Sequence, residues 1–435
     1  MKNSRFLADY GMSVVLLLLC VFFSIVTYSE QSPTGESAAK QVTASIIEQF
    51  GKTPRVIIAA GTQAGDTEFA SSMEKALKTS GAEIVAVVQG EPKDARDALQ
   101  KATGKLDAIA CTQATSGWLV FSELKTDFPA LGEPRLITAR SYKWPNFLKS
   151  ENLLNIANQI AVIAIVAIGM TMVIITGGID LSVGSLIALS AVLAARFIRD
   201  FAGGASATLG GMLLACIAAM LVCGIVGAFS GMMVTRFRIP PFIVTLAMML
   251  VGSGLAYILA KGQSIYQIPD SFVWLGRGAD FASLPNAVIL MIVLYALAHI
   301  LMSRMRLGRY IYAVGGNIEA AKISGLPVQR VLMFAYVASA LLAGLGGVIM
   351  ASQLKSGSAT YGNMYELYVI AAVVVGGTSL SGGQGKIFGT LIGAFTIAVI
   401  QNGMNLTNVE SYTQKVVLGL VILGAVLLDK VRNPR

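Results

Sequence analysis

Ten stretches of this chain contain no Asp, Glu, Lys or Arg: 10–29, 152–179, 181–195, 201–235, 239–260, 281–303, 331–354, 367–385, 387–409 and 416–428. An α-helix crosses the roughly 30 Å hydrocarbon core of a bilayer with about 20 mostly apolar residues. Most of the runs reach that length, and Leu, Ile, Val, Ala, Met, Phe and Gly dominate each of them. The last is short, and Tyr412 and Lys415 lengthen it by holding polar tips at an interface. In lipid every backbone polar group needs an internal partner, so apolar runs of this length predict helices. The charged fraction agrees: it is 13% over 435 residues, where soluble domains carry about 25%. The sequence therefore predicts an all-α polytopic membrane protein of about ten transmembrane helices, interrupted by one soluble insertion.

Orientation follows from the Lys/Arg bias. With a cytoplasmic N-terminus and alternating helices, the inside loops hold Lys2, Arg5, Arg236, Arg238, Arg304, Arg306, Arg309, Lys322, Arg330, Lys386, Lys430, Arg432 and Arg435. Against these thirteen cations stand Asp9, Asp180, Glu319 and Asp429, while the outside segments other than the insertion hold seven cations and six acids. Both termini are therefore expected in the cytoplasm. The net charge of +9 is explained by topology, with no nucleic acid needed. Residues 1–29 also fit a secretory signal peptide, but Leu19 precedes Cys20 where a lipoprotein signal has a small residue, and no small-x-small site follows closely. A retained first helix is expected. Four cysteines (Cys20, Cys111, Cys216, Cys223) make no disulfide framework.

Residues 30–147 are of another kind, with 14 of the 24 acids and 13 of the 33 bases. Apolar strands at 55–61 (RVIIAAG), 83–90 (EIVAVVQG), 106–112 (LDAIACT) and 135–139 (RLITA) alternate with helices at 66–80 and 92–103 and a short one at 117–124. This alternation predicts a small parallel-sheet α/β unit. The run IIAAGTQAGDTEFASSMEKALKTSGAEIVAVVQG, continuing to LDAIACTQATSGWLVF, resembles half of the first lobe of a periplasmic sugar-binding protein. No second lobe follows, so the resemblance implies a docking or structural module outside the membrane rather than a closing cleft. Weak ligand sensing is the alternative.

Inside the apolar part, Gly177 and Gly178 release the backbone and end a helix, and Asp180 and Ser182 are placed to accept from the amides that open the next one. The grammar returns 199 residues later: GGIDLSVG (177–184) and GGTSLSGG (376–383) agree at five of eight positions, with Gly376, Gly377, Ser379 and Ser381 in the matching places. Broken helices at corresponding positions point to a transport path. An acid at such a break is by default a functional candidate, but Ser379 at the position of Asp180 favours a capping role. Glu366 reads as an interfacial or docking residue and His299, the only histidine, as a packed one. Between 304 and 330, Asn317 is placed to cap a short helix over 318–324, with Gly325 as its stop.

From Trp144 onward the chain resembles the permease subunit of ribose- and xylose-type ABC importers. The matching segments are PNFLKSENLLNIANQ, AIGMTMVIITGGIDLSVGS, IPPFIVTLAMMLVGSGLA, RLGRYIYAVGGNIEAAKISGL, AAVVVGGTSLSGGQGKIFGTLIGA and QNGMNL. The chain thus divides into a first helix over 1–29, an extracytoplasmic insertion over 30–147, which departs from such permeases where they have a short loop, and a permease domain over 148–435, which the resemblance places in a bacterial inner (cytoplasmic) membrane. It implies that Glu319, Ala320, Ala321, Lys322 and Gly325 form the helix that meets a cytoplasmic ATPase, since EAA followed by Gly matches the coupling motif of such permeases. It also implies that the two breaks, with Asn402 and Asn405, line the path. Partners would be that ATPase, a periplasmic sugar-binding protein, a second permease copy and the bilayer. No phosphate loop is present: Leu380 stands at the first glycine position and Ile387 at the hydroxyl position around Gly385-Lys386. ATP is therefore expected on a separate chain, with no metal, no cofactor and no catalytic residue here. The rivals are an ion-coupled secondary transporter, opposed by the shortage of buried acids, and a membrane-anchored sugar sensor, which would not need ten helices.

Overall fold

The computed structural model describes residues 2–51 and 53–432, with side chains over 11–51 and 53–427. The topology residues Lys2, Arg5, Asp9, Asp429, Lys430, Arg432 and Arg435 lie outside the described side chains. The chain forms two compact units, 1–27 with 146–435, and 28–145. A helix α1 (Lys2–Val26) precedes the smaller unit, which follows the order β1 (Tyr28–Gln31), α2 (Gly35–Phe50), β2 (Arg55–Ala60), α3 (Ala64–Ser80), β3 (Glu83–Gln89), α4 (Pro92–Lys101), β4 (Ala108–Cys111), α5 (Leu124–Asp127), β5 (Arg135–Ile137) and β6 (Tyr142–Pro145).

In the smaller unit β3, β2, β4 and β5 lie in that order in one parallel sheet, and β1 pairs antiparallel with β6 as a separate ribbon. Side chains of a strand alternate between faces. Val56 and Ile58 accordingly pack with Val42, Ile46, Phe69 and Met73 of α2 and α3, while Ile57 and Ala59 face Leu99, Ile109 and Phe121. The sequence reading missed α2, although Ala38, Val42 and Ile46 mark one buried face at helical spacing. The helix expected over 117–124 does not form. The chain there makes tight 3₁₀ turns at Thr115–Gly117 and Leu119–Phe121, because Trp118 between them is extended at ψ 131°. All four cysteines are free, and burial pushes the Cys111 thiol up to about 12, which keeps it protonated and inert.

The larger unit continues with α6 (Ser150–Ile175), α7 (Val183–Phe201), α8 (Leu209–Arg236), α9 (Pro241–Ala260), α10 (Trp274–Arg277), α11 (Asn286–Arg304), α12 (Arg306–Gly316), α13 (Ile318–Ile323), α14 (Val328–Leu354), α15 (Tyr365–Val375), α16 (Ile387–Leu406) and α17 (Ser411–Arg432). Six of the described helices (α6, α8, α9, α11, α14 and α16) are long and apolar enough to cross a membrane. The α6 helix is buried over most of its length and α14 packs against α6, α7 and α8, so these two form the centre of the bundle. Phe23 of α1 packs on Phe147, and a Cβ at Gly403 of α16 would lie 2.3 Å from its ring.

One expected span is corrected. The run 367–385 is not one helix: α15 stops at Val375, and its 11 residues reach about 16 Å at 1.5 Å per residue. The remainder is an irregular loop that starts no helix before Ile387.

Candidate functional site

The first break closes α6 with three backbone bonds: Thr176 N to Met172 O (3.2 Å), Gly177 N to Ile174 O (2.9 Å) and Gly178 N to Val173 O (3.0 Å). Gly177 takes φ +81°, a left-handed conformation open to glycine at little cost. The chain then carries Asp180 to Ser339 of α14, at the level where Gly169 of α6 meets the Ser339 backbone. Asp180 is only 2% exposed. Its Oδ1 accepts from Ser182 N (3.0 Å) and Ser182 Oγ (2.6 Å), and its Oδ2 accepts from Ser339 Oγ (2.8 Å). A buried carboxylate persists only with such partners. Asp180 therefore both caps the turn into α7 and ties that turn to α14. Ser182 is not the side-chain acceptor expected from its position: its hydroxyl donates to Asp180 and takes no amide of α7, while its carbonyl receives Leu186 N (2.9 Å) and Ser185 Oγ (2.8 Å).

The second break repeats the ending with Gly376 N to Ala372 O (2.9 Å), Gly377 N to Val374 O (2.9 Å) and Thr378 N to Val373 O (3.1 Å), and Gly377 takes φ +85°. These bonds correspond to the first set at an offset of 200 residues, which equates Gly377 with Gly177 and Gly376 with Thr176. The side-chain closure corresponds at 199: Ser381 N donates to Ser379 Oγ (3.4 Å) as Ser182 N does to Asp180. The residue-by-residue match of the two Gly-Gly pairs is thus corrected. The first break holds one more residue between its left-handed glycine and its capping side chain. The similarity stops at Gly382 and Gly383, whose φ of +81° and +73° cannot begin a helix, whereas Val183 at the corresponding place begins α7.

The two breaks meet. Gly383 N donates to Ile175 O (2.8 Å), and Thr171 and Thr390 share a hydroxyl hydrogen bond (2.8 Å) between α6 and α16. The end of α12 presses into this contact. A Cβ at Gly315 would lie 1.7 Å from Ile175 O and 2.7 Å from Gly383 N, so only glycine fits there. Tyr312 Oη donates to Gly385 O (2.8 Å) from the same helix. Two buried side-chain hydroxyls lack a hydrogen-bond partner among the described residues, Tyr336 Oη and Thr378 Oγ1. One lies beside each break, since a Cβ at Gly178 would meet the first at 2.3 Å and a Cβ at Gly385 the second at 2.7 Å. Gly315, Tyr312 and these hydroxyls were not singled out from the sequence.

Directly after α12 comes α13. Asn317 Oδ1 accepts from Ala320 N (3.0 Å), and Gly325 at φ +77° ends the turn with its N–H on Lys322 O (2.9 Å). Ala321 is buried, and Glu319 and Lys322 form an exposed ion pair at 2.6 Å. Such a pair contributes at most about 1 kcal/mol. Ile323 is 88% exposed on this short helix, an apolar side chain with no cover of its own, and it was not singled out from the sequence.

At the other end of α6 and α16, Asn152 and Asn402 exchange amide hydrogen bonds (3.1 and 2.8 Å), and Asn405 Oδ1 accepts from Gln414 Nε2 (2.8 Å). Asn402 and Asn405 are thus remote from the breaks with which they were grouped. The Glu366 carboxylate stands against Gly184 of α7, where an added Cβ would meet it at 2.2 Å, and the His299 ring packs on Phe388 with centroids 4.7 Å apart. Among the described residues no three His, Cys, Asp or Glu side chains gather as metal ligands would.

The family described as "Branched-chain amino acid transport system / permease component" matches residues 152–426, which leaves the insertion unmatched. The ribose import permease of Escherichia coli (strain K12) is 43% identical over 298 residues, 68% of this chain and 90% of that protein. The ribose import permease of Bacillus subtilis (strain 168) is 43% identical over 307 residues, 70% and 92% of the two chains. The D-allose transport system permease of Escherichia coli (strain K12) is 35% identical over 284 residues, 65% and 85%. No solved structure matches. With this much of the chain and of its relatives aligned, the bundle of broken helices is that of a transport-system permease: the chain belongs to the branched-chain amino acid transport system permease family.

Proposed function

We propose that this chain is the membrane subunit of an ATP-driven importer for a monosaccharide. The carrying observation is the identity with two ribose import permeases over nine-tenths of their length. The α13 helix supplies the contact for a cytoplasmic ATPase: Ile323 enters a groove on it while Glu319 and Lys322 make polar contacts at the rim, and Ala320 and Ala321 allow close seating. ATP stays on that partner, and this chain carries neither cofactor nor metal. The Gly315 contact supports a mechanical reading, because a displacement of α13 is passed through the end of α12 to Ile175 and Gly383. The hydroxyls of Tyr336 and Thr378, beside Gly178 and Gly385 and without partners among the described residues, mark the breaks as places where an alternative arrangement recovers hydrogen bonds worth about 1 kcal/mol each.

The bundle crosses an inner membrane ten times, through α1, α6, α7, α8, α9, α11, α14, α15, α16 and α17, with both termini cytoplasmic. The α15 helix does so with the irregular chain on either side of it. The packing of Phe23 supports a retained α1. The insertion stands outside the membrane and docks a sugar-binding protein, and the permease works as a homodimer. Co-purification checks the ATPase contact. Glu319→Arg combined with Ile323→Asp lowers recovery of the ATPase at least tenfold with an unchanged amount of permease in the membrane, and full recovery counts against it.

A further inference from the structure

Far from the breaks, Gln159 of α6, Gln353 of α14, Tyr365 of α15 and Gln401 of α16 converge on a cavity of about 270 Å³. Its remaining walls are apolar, Ile160 and Met350 among them, and no ionisable Asp, Glu, Lys, Arg or His lines it. Gln353 is held in place, its Nε2 donating to Asn158 O at 3.2 Å. The side-chain amides of Gln159 and Gln401 make no hydrogen bond to any described residue. Gln159 is exposed and Gln401 half-buried, so both amides are open to water or to a solute that enters the cavity. The position is informative as well. Gln353 is the penultimate residue of α14, whose first residue, Val328, follows the coupling segment. The 27 residues of that helix span about 40 Å at 1.5 Å each, so the cavity and α13 lie at opposite ends of the bundle.

The lining selects a chemistry. Amides and a phenol offer both donors and acceptors, as hydroxyl groups require, and the apolar walls suit the C–H face of a ring. A free amino acid would bring two charges that find no counter-charge here. The volume equals that of about nine waters at ~30 Å³ each, room for one sugar ring and not for an oligosaccharide. We infer that this cavity is the first binding site within the permease for a neutral polyhydroxyl solute, held by Gln159, Gln353, Tyr365 and Gln401. The inference deepens the import reading and rests on it.

The test uses the full chain reconstituted with the ATPase and binding protein of a ribose importer. Gln159→Leu with Gln401→Leu should cut radiolabelled ribose uptake at least tenfold without loss of assembled complex, and Gln401→Asn should restore part of it. Unchanged uptake by the double variant overturns the site, and so does uptake of leucine in place of ribose. A second readout needs no transport. In a chain with Cys20 and Cys216 replaced by Ser, Gln159→Cys should react with a water-soluble thiol reagent from the outside, and ribose should slow that reaction. A cysteine that never reacts, or that ribose does not protect, overturns the site. Failure of the unmodified chain to take up ribose sinks the import reading, while the labelling result still decides the cavity.

Discussion

At the ends of α6 and α15 the same three backbone bonds close the last turn, two hundred residues apart, around glycines at φ +81° and +85°. Beyond that point the two breaks diverge. One spends an additional residue before its capping side chain, closes on a carboxylate held by three hydrogen bonds and opens α7 at once. The other closes on a serine hydroxyl at 3.4 Å and then runs through two left-handed glycines to touch Ile175 and Gly316. A helix ending can thus be repeated while its continuation is put to different uses. The first break is locked to α14. The second is a loop in contact with the segment that leads to α13.

The strongest way to break this contrast is Asp180→Ala. It leaves Ser182 N–H, Ser182 Oγ–H and Ser339 Oγ–H without their acceptor, and a buried donor so orphaned costs about 1–3 kcal/mol. The expected loss exceeds about 3 kcal/mol, read as a large fall in the thermal midpoint of the purified protein or in its membrane abundance. Next comes the contact between breaks and coupling segment. Gly315→Ala forces a methyl against Ile175 O and should cost about 1–3 kcal/mol as an overpacking change. ATP-driven uptake should fall with it, while ATPase recovery persists. Gly316→Ala is its control, because a Cβ there meets nothing within 4 Å, and it should leave uptake unchanged. Equal effects of the two alanines would remove the case for a specific joint. Ser379→Ala takes the acceptor from the Ser381 N–H at 3.4 Å and leaves no buried carboxylate partners orphaned, so a smaller fall than that of Asp180→Ala is expected; if it matched Asp180→Ala in thermal unfolding, the two breaks would be energetically alike. The smallest effect belongs to Tyr336→Phe. Deleting a buried hydroxyl that has no partner among the described residues should leave the thermal midpoint unchanged or slightly raised, and a marked drop would reveal a partner for that oxygen.

Local chemistry was legible in the sequence where one short segment sufficed. The Asn317 cap, the Gly325 stop and the helix-ending glycines each act within a few residues, and that is why they could be read there. What could not be read depends on distant segments. The close approach of Gly315 to Ile175 joins residues 140 positions apart, and nothing in VGGN distinguishes it from an ordinary glycine pair. The offset between the breaks was hidden because matching by identity aligned glycine with glycine, whereas the backbone bonds align Gly376 with Thr176. In the run 367–385 the absence of charge suggested one span, but Gly376 and Gly377 interrupt it after 11 helical residues. Gln159 and Gln401 were not singled out from the sequence, because only the packing of α6, α14, α15 and α16 brings them to one cavity.

The most direct test is ribose accumulation by proteoliposomes that hold this chain, a ribose-importer ATPase and the loaded binding protein, with ATP supplied or withheld. Import driven through α13 predicts uptake that requires ATP and is indifferent to an ionophore. Uptake that continues without ATP and collapses when the ionophore is added would contradict it and would assign the chain to ion-coupled transport.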